Sequence, residues 1–302
     1  MGLTLVTGAS GFVGSHLVEE MRRRGLPVRG ITRGAKPDLL NIPSYGADMN
    51  WSDCLDTVDT VVHLAARVHV MQETASDPLS MFREANVTAT INLARQAAEA
   101  GVRRFIFVSS IKVNGEFTAP GRPFTAAHPP NPQGPYGVSK AEAEAALMAL
   151  GHETGMEITI IRPPLVYGPR VRGNFRSLAK WASYGLPSLF AAVNNKRSLV
   201  HVSNLCDLLI KVIDHPSAAY RIFLISDDRD YSTHELLETL AVKSGRRSYS
   251  VRVPPRLLKL IGRISGRPES VERLMQSLQV DIRETSQTLN WVPSDASRLD
   301  FY

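Results

Sequence analysis

Residues 7–14 read TGASGFVG and directly follow an apolar run, LTLVT at residues 3–7. The stretch contains Gly8, Gly11 and Gly14, and helical spacing of apolar residues runs from Phe12 to Arg24. A strand that ends in a glycine-rich turn and continues as a helix lets the backbone approach a pyrophosphate, which lies against free N–H groups at the helix N-terminus. Because the glycines have a strand before them and a helix after them, the stretch predicts a dinucleotide-binding turn.

Strand-like and helix-like segments alternate through the first half of the chain. PVRGIT (27–32), TVVHLAA (60–66) and RRFIFVSS (103–110) have the composition of buried strands, and residues 77–100 have that of a long helix that ends at Gly101. This alternation predicts an α/β fold, a Rossmann doubly wound parallel sheet covered on both faces. We expect a dinucleotide-binding domain over residues 1–162, to which the chain returns near 201–226. A smaller α/β substrate-binding lobe should occupy most of residues 163–302.

Composition and charge narrow the class of protein. The chain has 302 residues, of which 43% are hydrophobic, and a formal net charge of +6. Its basic residues are scattered in groups without a nucleic-acid-binding motif, so we expect an anionic small ligand and no nucleic acid. The N-terminus lacks the features of a signal peptide, no apolar run is long enough to span a bilayer, and the two cysteines have no metal-ligand spacing. We therefore expect a cytoplasmic protein without a metal or an integral membrane segment.

The end of the second predicted strand bears on the choice of cofactor. NAD-binding sites usually place Asp or Glu there, to bind the ribose 2′-hydroxyl. This chain has Thr32 at that place and Arg33 beside it, a hydroxyl and a cation that suit a 2′-phosphate. The residues therefore favour NADP(H), with NAD(H) as the alternative. Asp48, followed by Met49, is predicted to end the next short strand and to reach the adenine.

The stretch PYGVSK at residues 135–140 has two interpretations. Tyr136 and Lys140 are four residues apart, which puts them on one face of a helix. A proline before a polar turn and an alanine-rich run is also an ordinary helix opening. Taken alone, the stretch does not decide between a structural pair and a pair that transfers a proton.

The glycine motif, HLAA at 63–66, SS at 109–110 and YGVSK, in this order, resemble the extended short-chain dehydrogenase/reductase family of nucleotide-sugar epimerases, dehydratases and ketoreductases. The resemblance implies that Tyr136 exchanges a proton with the sugar oxygen and that Ser110 polarises the carbonyl. Lys140 would lower the pKa of the tyrosine and bind the nicotinamide ribose. A phenol with an ordinary pKa near 10 is a poor base until a nearby cation stabilises its anion.

The resemblance also implies a set of cofactor contacts, most of which follow the ends of the predicted strands. These are Gly8, Ser10, Gly11, Phe12, Val13, Gly14, Thr32, Arg33, Asp48, Met49, Leu64, Ala65, Ala66, Asn86, Val108, Tyr136, Lys140 and Pro163.

The two residues after Ser110 indicate which reaction a member of the family catalyses. Dehydratases carry an Asp–Glu pair there, and this chain has Ile111 and Lys112, so we expect no dehydration. SSIKVNGE resembles most closely the bacterial enzymes that reduce the 4-keto group of UDP-4-keto-6-deoxy-N-acetylhexosamines in surface-polysaccharide assembly. We therefore expect a 4-ketoreductase. The alternatives are a UDP-glucose or UDP-N-acetylglucosamine 4-epimerase with bound NAD and a non-catalytic dinucleotide sensor, although such sensors normally lose the Tyr or Lys.

Several further residues receive roles from the same resemblance. Relatives use matching positions to bind the UDP-sugar, which here are Lys112, Asn174, Phe175 and Arg197. The Asn usual in RPPLVYGP is replaced by Leu165, which removes one expected sugar contact. His63 is interpreted as a buried, satisfied histidine and His201 as a support of the lobe, whereas His69 has a smaller prospect of approaching the sugar.

Two helical surfaces are predicted to have a role, one in dimer formation and the other at the outside of the lobe. Relatives form homodimers through the long helix before the fifth strand and the Tyr–Lys helix, which here offers Ala141, Ala145, Ala146 and Ala149 for close packing. PPRLLKLIGRISGR (254–267) is predicted to form an amphipathic helix. A lobe helix with a solvated basic face is favoured for it over a helix that contacts a membrane surface.

Overall fold

The computed structural model describes residues 1–67, 77–171 and 173–295. The strands are β1 (Leu3–Thr7), β2 (Val28–Thr32), β3 (Leu40–Asn41), β4 (Val58–His63), β5 (Arg104–Val108), β6 (Glu157–Arg162), β7 (Leu165–Tyr167), β8 (Arg197–His201), β9 (Arg221–Leu224) and β10 (Asp230–Tyr231). The α-helices are α1 (Phe12–Arg23), α2 (Ser52–Leu55), α3 (Pro78–Arg83), α4 (Ala89–Glu99), α5 (Gly134–Thr154), α6 (Asn174–Ser183), α7 (Val202–Asp214), α8 (Thr233–Lys243), α9 (Pro255–Ile264), α10 (Pro268–Met275) and α11 (Arg283–Leu289).

Seven strands form one parallel sheet, in the order β3-β2-β1-β4-β5-β6-β9. Its central strands are mostly buried and rich in apolar residues, because helices cover both faces of the sheet. The helices α1 and α7 contribute Leu17 and Leu205 to the core on one face, and α4 and α5 contribute Leu93 and Leu147 to the core on the other. The predicted Rossmann-like α/β fold is confirmed.

The order of the strands positions the site. The chain proceeds outward from β1 to β2 and β3, then returns to the other side of β1 to form β4, β5 and β6. In such sheets, ligands bind at the carboxyl ends of the strands, where this reversal opens a crevice. The strand β9 comes much later in the chain and pairs with β6 at the edge of the sheet.

A smaller sheet lies in the second half of the chain and has the order β10-β8-β7. The helices α6 and α8 pack with it around a core that includes Tyr167, Leu199 and Leu237. The lobe is attached directly to the main sheet, since β7 begins three residues after β6 ends.

Two predicted segments differ from the structure. The helix expected over residues 77–100 is divided into α3, a π-helical turn from Glu84–Thr88, and α4, and Gly101 follows its end with a φ of 77°. The prediction of a short strand that ends at Asp48 is wrong, because β3 ends at Asn41 and Asp48 lies in an exposed turn. The turn is held instead by Asn92 and Gln96, which both donate hydrogen bonds to the carbonyl of Met49.

Candidate active site

The glycine turn between β1 and α1 is shaped for close backbone approach. Gly8 has a φ of 67°, and a side chain at Gly14 would place its Cβ 2.2 Å from the carbonyl oxygen of Gly8. Helix α1 begins after Gly11 without a side-chain cap and has no acidic residue in its first turn. Its terminal N–H groups therefore favour an anion such as a pyrophosphate. The geometry fits a nicotinamide dinucleotide held by the turn residues, which are Gly8, Ser10, Gly11, Phe12, Val13 and Gly14.

The end of β2 lies beside this turn. Thr32 is buried and its hydroxyl donates a hydrogen bond to the Ser10 hydroxyl over 3.0 Å. Arg33 follows it and is exposed. Thr32 thus ties the strand to the glycine turn, and Arg33 is left at the surface where a ribose 2′-substituent would lie.

Three polar side chains meet where β5 ends and α5 begins. Ser110 follows β5 by two residues and caps a 3₁₀ turn, Ile111–Val113. Tyr136 lies in the first turn of α5 and Lys140 one turn later. The loop and the helix approach closely because Gly137 has no side chain, since a Cβ there would lie 3.0 Å from the carbonyl oxygen of Lys112. The structure therefore brings Ser110 and Tyr136 together, close enough for Ser110 to affect the pKa of Tyr136.

Burial changes the proton affinity of this group. It raises the pKa of Tyr136 to about 12, and the nearby side chain of Ser110 opposes that change. Burial also lowers the pKa of Lys140 to about 7, and the negative charge of Glu144 opposes it. Lys140 Nζ donates a hydrogen bond to the Val108 carbonyl over 2.9 Å and lies 4.3 Å from the ring centroid of Phe107. Lys140 is thus a buried amine one helical turn after Tyr136, with a pKa low enough for its charge to depend on its surroundings.

A buried ion pair that the sequence analysis missed lies behind Lys140. Glu144, on α5, receives hydrogen bonds from Arg162, on β6, over 2.5 and 2.9 Å. A third bond, of 3.0 Å, joins Arg162 to Asn114 in the loop after Ser110. The pair thereby connects α5 to the loop that follows Ser110. The signal in the sequence was an arginine that directly follows two isoleucines at the carboxyl end of the strand EITIIR.

His63 is a satisfied buried histidine, as predicted. Its Nδ1 is 2.8 Å from the Thr7 hydroxyl, and its Nε2 is 2.9 Å from the Tyr45 hydroxyl. Burial, and to a smaller extent the charge of Lys140, lowers its pKa to about 3. The Thr7 hydroxyl also accepts hydrogen bonds from the backbone N–H groups of Leu64 and Ala65. The histidine therefore holds the ends of β1 and β4 together in its neutral form.

Some expected cofactor residues have other partners. Asn86 is buried, and its amide contacts the backbone of Arg67 and the hydroxyl of Ser139 over 2.8–3.1 Å. The carbonyl of Pro163 accepts a hydrogen bond from the backbone N–H of Ile111. These residues hold together the loops that surround the crevice. Leu64, Ala65 and Ala66, which directly follow β4, are half-buried. Asp48 is placed in an exposed turn, as described above.

The residues expected to bind the substrate lie partly near the surface and partly in the core of the lobe. Lys112 is half-buried and forms an ion pair of 2.9 Å with Glu116. Arg197 donates through Nη1 to the carbonyls of Arg273 and Gln276, and burial lowers its pKa. The side chain of Phe175 is fully buried and stacked on Tyr167 in the core of the lobe, so it packs in that core and does not line a surface for the UDP.

Three further residues were given roles from the sequence, namely His69, Asn174 and His201. His69 and the side chain of Asn174 lie outside the described part of the structure. His201 caps α7 by accepting from the backbone N–H of Ser203, as expected of a residue that supports the lobe.

Comparison with known proteins identifies the family. The sequence pattern of the NAD dependent epimerase/dehydratase family matches residues 4–226. The chain belongs to this family. Among its curated relatives is a UDP-glucose 4-epimerase of Vibrio cholerae, which is 44% identical over 295 residues, 96% of this chain and 90% of that protein.

Solved structures of epimerase/dehydratase fold resemble the chain along almost its full length. MoeE5 in complex with UDP-glucuronic acid and NAD has a TM-score of 0.79 and 27% identity, over 99% of this chain and 96% of that one. UDP-glucose 4-epimerase of Thermotoga maritima, with UDP-glucose, has a TM-score of 0.75 over 96% of this chain and 93% of that one. The latter is 21% identical and supports the fold alone. Family membership and the site together make the protein an enzyme that modifies a nucleotide-sugar.

Proposed function

We propose that the protein is a UDP-sugar 4-epimerase that keeps NAD bound through turnover, with UDP-glucose or UDP-N-acetylglucosamine as substrate. The observation that carries this proposal is the near full-length similarity to the Vibrio cholerae UDP-glucose 4-epimerase, at 44% identity. The 4-ketoreductase expected from the sequence is supported less well, since the comparisons favour the epimerase.

The roles of the residues follow from their geometry. Bound NAD supplies the site that takes up the C4 hydride of the sugar and returns it. The phenolate of Tyr136, assisted by protonated Lys140, takes the proton from the O4 hydroxyl, which leaves a C4 ketone. Ser110, which lies beside Tyr136, orients that oxygen. After the keto sugar turns over, Tyr136 would return the proton to O4, and the hydride would be supplied to the opposite face by the NAD held by the glycine turn. The overall reaction changes only the configuration at C4.

The test is incubation of the purified protein with UDP-glucose or UDP-N-acetylglucosamine, with no reductant, followed by separation of the C4 epimers. We expect interconversion to the same equilibrium mixture from either epimer. A parallel reaction contains UDP-4-keto-6-deoxy-N-acetylglucosamine and NADPH. Stoichiometric NADPH oxidation in that reaction, with no interconversion in the first, would overturn the proposal.

One observation favours the ketoreductase as a second candidate. The end of β2 carries Thr32 and the exposed Arg33 in place of an acidic residue. A reductase needs a cofactor that exchanges and is supplied in reduced form, and these residues suit the 2′-phosphate of NADPH. An epimerase is better served by an acidic residue that holds the NAD ribose, so the cofactor preference separates the two candidates.

The cofactor preference is tested with Arg33→Ala. If Arg33 faces the 2′-substituent, the variant should bind NADPH about tenfold more weakly, the loss of one charge-assisted contact, and NADH as the wild type does. The exposed Arg22→Ala serves as a control for the loss of one positive charge. Equal affinities of wild type and Arg33→Ala for NADPH would make Arg33 a surface charge and remove the support for the second candidate.

A further inference from the structure

The surface of α9 has an exposed aliphatic stripe. Its residues follow the spacing i, i+3, i+4, i+7, which puts them on one face of the helix. Their exposed fractions are 47, 49, 40 and 79%, for Leu257, Leu260, Ile261 and Ile264 respectively. The stripe is separate from the face by which α9 is attached to the protein. That face holds the buried Leu258 and Gly262, where a Cβ would lie 3.1 Å from Val271 of α10.

Basic residues border this stripe. Arg256, Lys259 and Arg263 follow the spacing i, i+3, i+7 on the neighbouring face of α9, and all three are exposed. Lys259 pairs with Glu272 over 3.5 Å. Arg256 and Arg263 form no ion pair with any acidic side chain of residues 1–67, 77–171 and 173–295, which the structure describes.

The charge of the surrounding chain has one sign. Residues 239–268 contain no Asp or Glu and eight cationic residues. These are Lys243, Arg246, Arg247, Arg252, Arg256, Lys259, Arg263 and Arg267. All eight are exposed. Two exposed apolar residues, Tyr249 and Val251, shortly precede the helix within this segment.

We propose that α9 docks the protein onto an anionic lipid surface. The helix would lie in the plane of the interface, with Leu257, Leu260, Ile261 and Ile264 among the acyl chains and the arginines at the lipid headgroups. An amphipathic helix with a basic border binds in this way through apolar burial and through attraction to anionic lipids. The helix has ten residues and lies on the membrane surface without crossing it.

Charge complementarity favours an anionic lipid surface over a second copy of the chain as the partner of α9. Two copies that met through α9 would bring two clusters of arginines together, and like charges across an interface oppose association. An anionic bilayer offers the opposite charge and an apolar layer together. Each basic residue near such a surface strengthens binding about fivefold.

The test is co-sedimentation of the full-length protein with lipid vesicles. One set consists of phosphatidylcholine and the other also contains about 30% phosphatidylglycerol, an anionic lipid. We expect binding to the anionic set to be at least tenfold stronger than to the neutral set. Raising the salt from about 0.05 M to about 0.5 M should weaken it, because the shorter Debye length screens the arginines.

Variants separate the apolar stripe from the charge. Leu260→Glu/Ile264→Glu should bind the anionic vesicles at least tenfold more weakly than the wild type. Arg256→Gln/Arg263→Gln should bind about 25-fold more weakly, about fivefold for each arginine. Val292→Glu, which places one negative charge at another residue that is 77% exposed, should bind as the wild type does. Circular dichroism and thermal unfolding of all variants check that each is folded.

Three results would overturn the proposal. The first is equal binding to neutral and anionic vesicles at low salt, and the second is wild-type binding by folded Leu260→Glu/Ile264→Glu, which would indicate adsorption by charge alone. The third is the absence of vesicle binding together with a self-association that Leu260→Glu/Ile264→Glu abolishes. That result would assign the stripe to contact between copies of the chain.

Discussion

In the proposed mechanism the hydroxyl of Tyr136, which lies close enough to Ser110 for its pKa to be affected, exchanges a proton with the sugar. Tyr136→Phe removes this hydroxyl and retains the ring, which packs edge-on against Phe82 at 6.1 Å between centroids. We expect turnover to fall roughly 10²- to 10⁴-fold, the usual contribution of general acid–base catalysis, with little change in thermal stability. Steady-state kinetics with the purified variant measures the loss.

Tyr220→Phe is the matched control. It also removes a half-buried phenolic hydroxyl, which donates to the carbonyl of Gly151 near the far end of α5. Its turnover should equal that of the wild type. Wild-type turnover by Tyr136→Phe would remove the tyrosine from the chemistry.

The sequence was sufficient for some residues of the site and insufficient for others. The positions of Gly8 and Gly14 in a tight turn and of Tyr136 and Lys140 on one helix face could be predicted, because they depend on local geometry. Phe175 could not, since an apolar residue in an amphipathic helix has the same pattern whether it lines a pocket or fills a core.

Among the elements, α5 depends on the buried Arg162–Glu144 pair for both its position and its electrostatics. Glu144→Gln leaves the guanidinium of Arg162 buried without its counter-charge, which should lower the free energy of unfolding by roughly 3–5 kcal/mol. The double variant Glu144→Gln/Arg162→Gln removes both charges and should recover much of this loss. Urea denaturation of the two variants and the wild type measures the differences.

The pH dependence of kcat/KM distinguishes an effect of Glu144 on the pKa of Lys140 from an effect on stability alone. The negative charge of Glu144 raises the pKa of Lys140, so its removal lowers that pKa further. Because the site requires protonated Lys140, activity is lost as the pH rises through this pKa. The alkaline limb of kcat/KM should therefore move to lower pH in Glu144→Gln. A variant that is less stable but has an unshifted limb would leave the pair a purely structural role.

The elements themselves were predictable to different degrees. The parallel strands were evident because apolar runs such as RFIFV are buried on both faces. The π-helical turn between α3 and α4 was not, because it brings Asn86 to Arg67 and Ser139, partners far apart in the chain. The turn at Asp48 likewise depends on distant contacts from α4, which no local pattern indicates.

At the scale of the whole molecule, we expect a homodimer formed through the helices α4 and α5. Ala145 and Ala149 are exposed on α5, and Ala141 and Ala146 are half-exposed, so a partner helix can approach closely. Ala145→Arg would bring two like charges together across a symmetric interface and should raise the dissociation constant at least a hundredfold. Light scattering across a dilution series measures this.

The control for this prediction is Ala192→Arg, which places the same residue in an exposed turn of the smaller lobe. It should dimerise as the wild type does. A wild-type protein that is monomeric at all concentrations would rule out the dimer, and an unchanged dimer in Ala145→Arg would assign it to another surface.

The most direct measurement follows deuterium at C4 of the sugar. The protein is incubated with UDP-[4-²H]glucose and no added cofactor, and the C4 epimer is isolated and analysed by mass spectrometry and NMR. Since an epimerase returns the same hydride to the opposite face, the account predicts an epimer that retains the deuterium at C4. Loss of the deuterium, or no epimer formed while NADPH is oxidised by a 4-keto sugar, would contradict it.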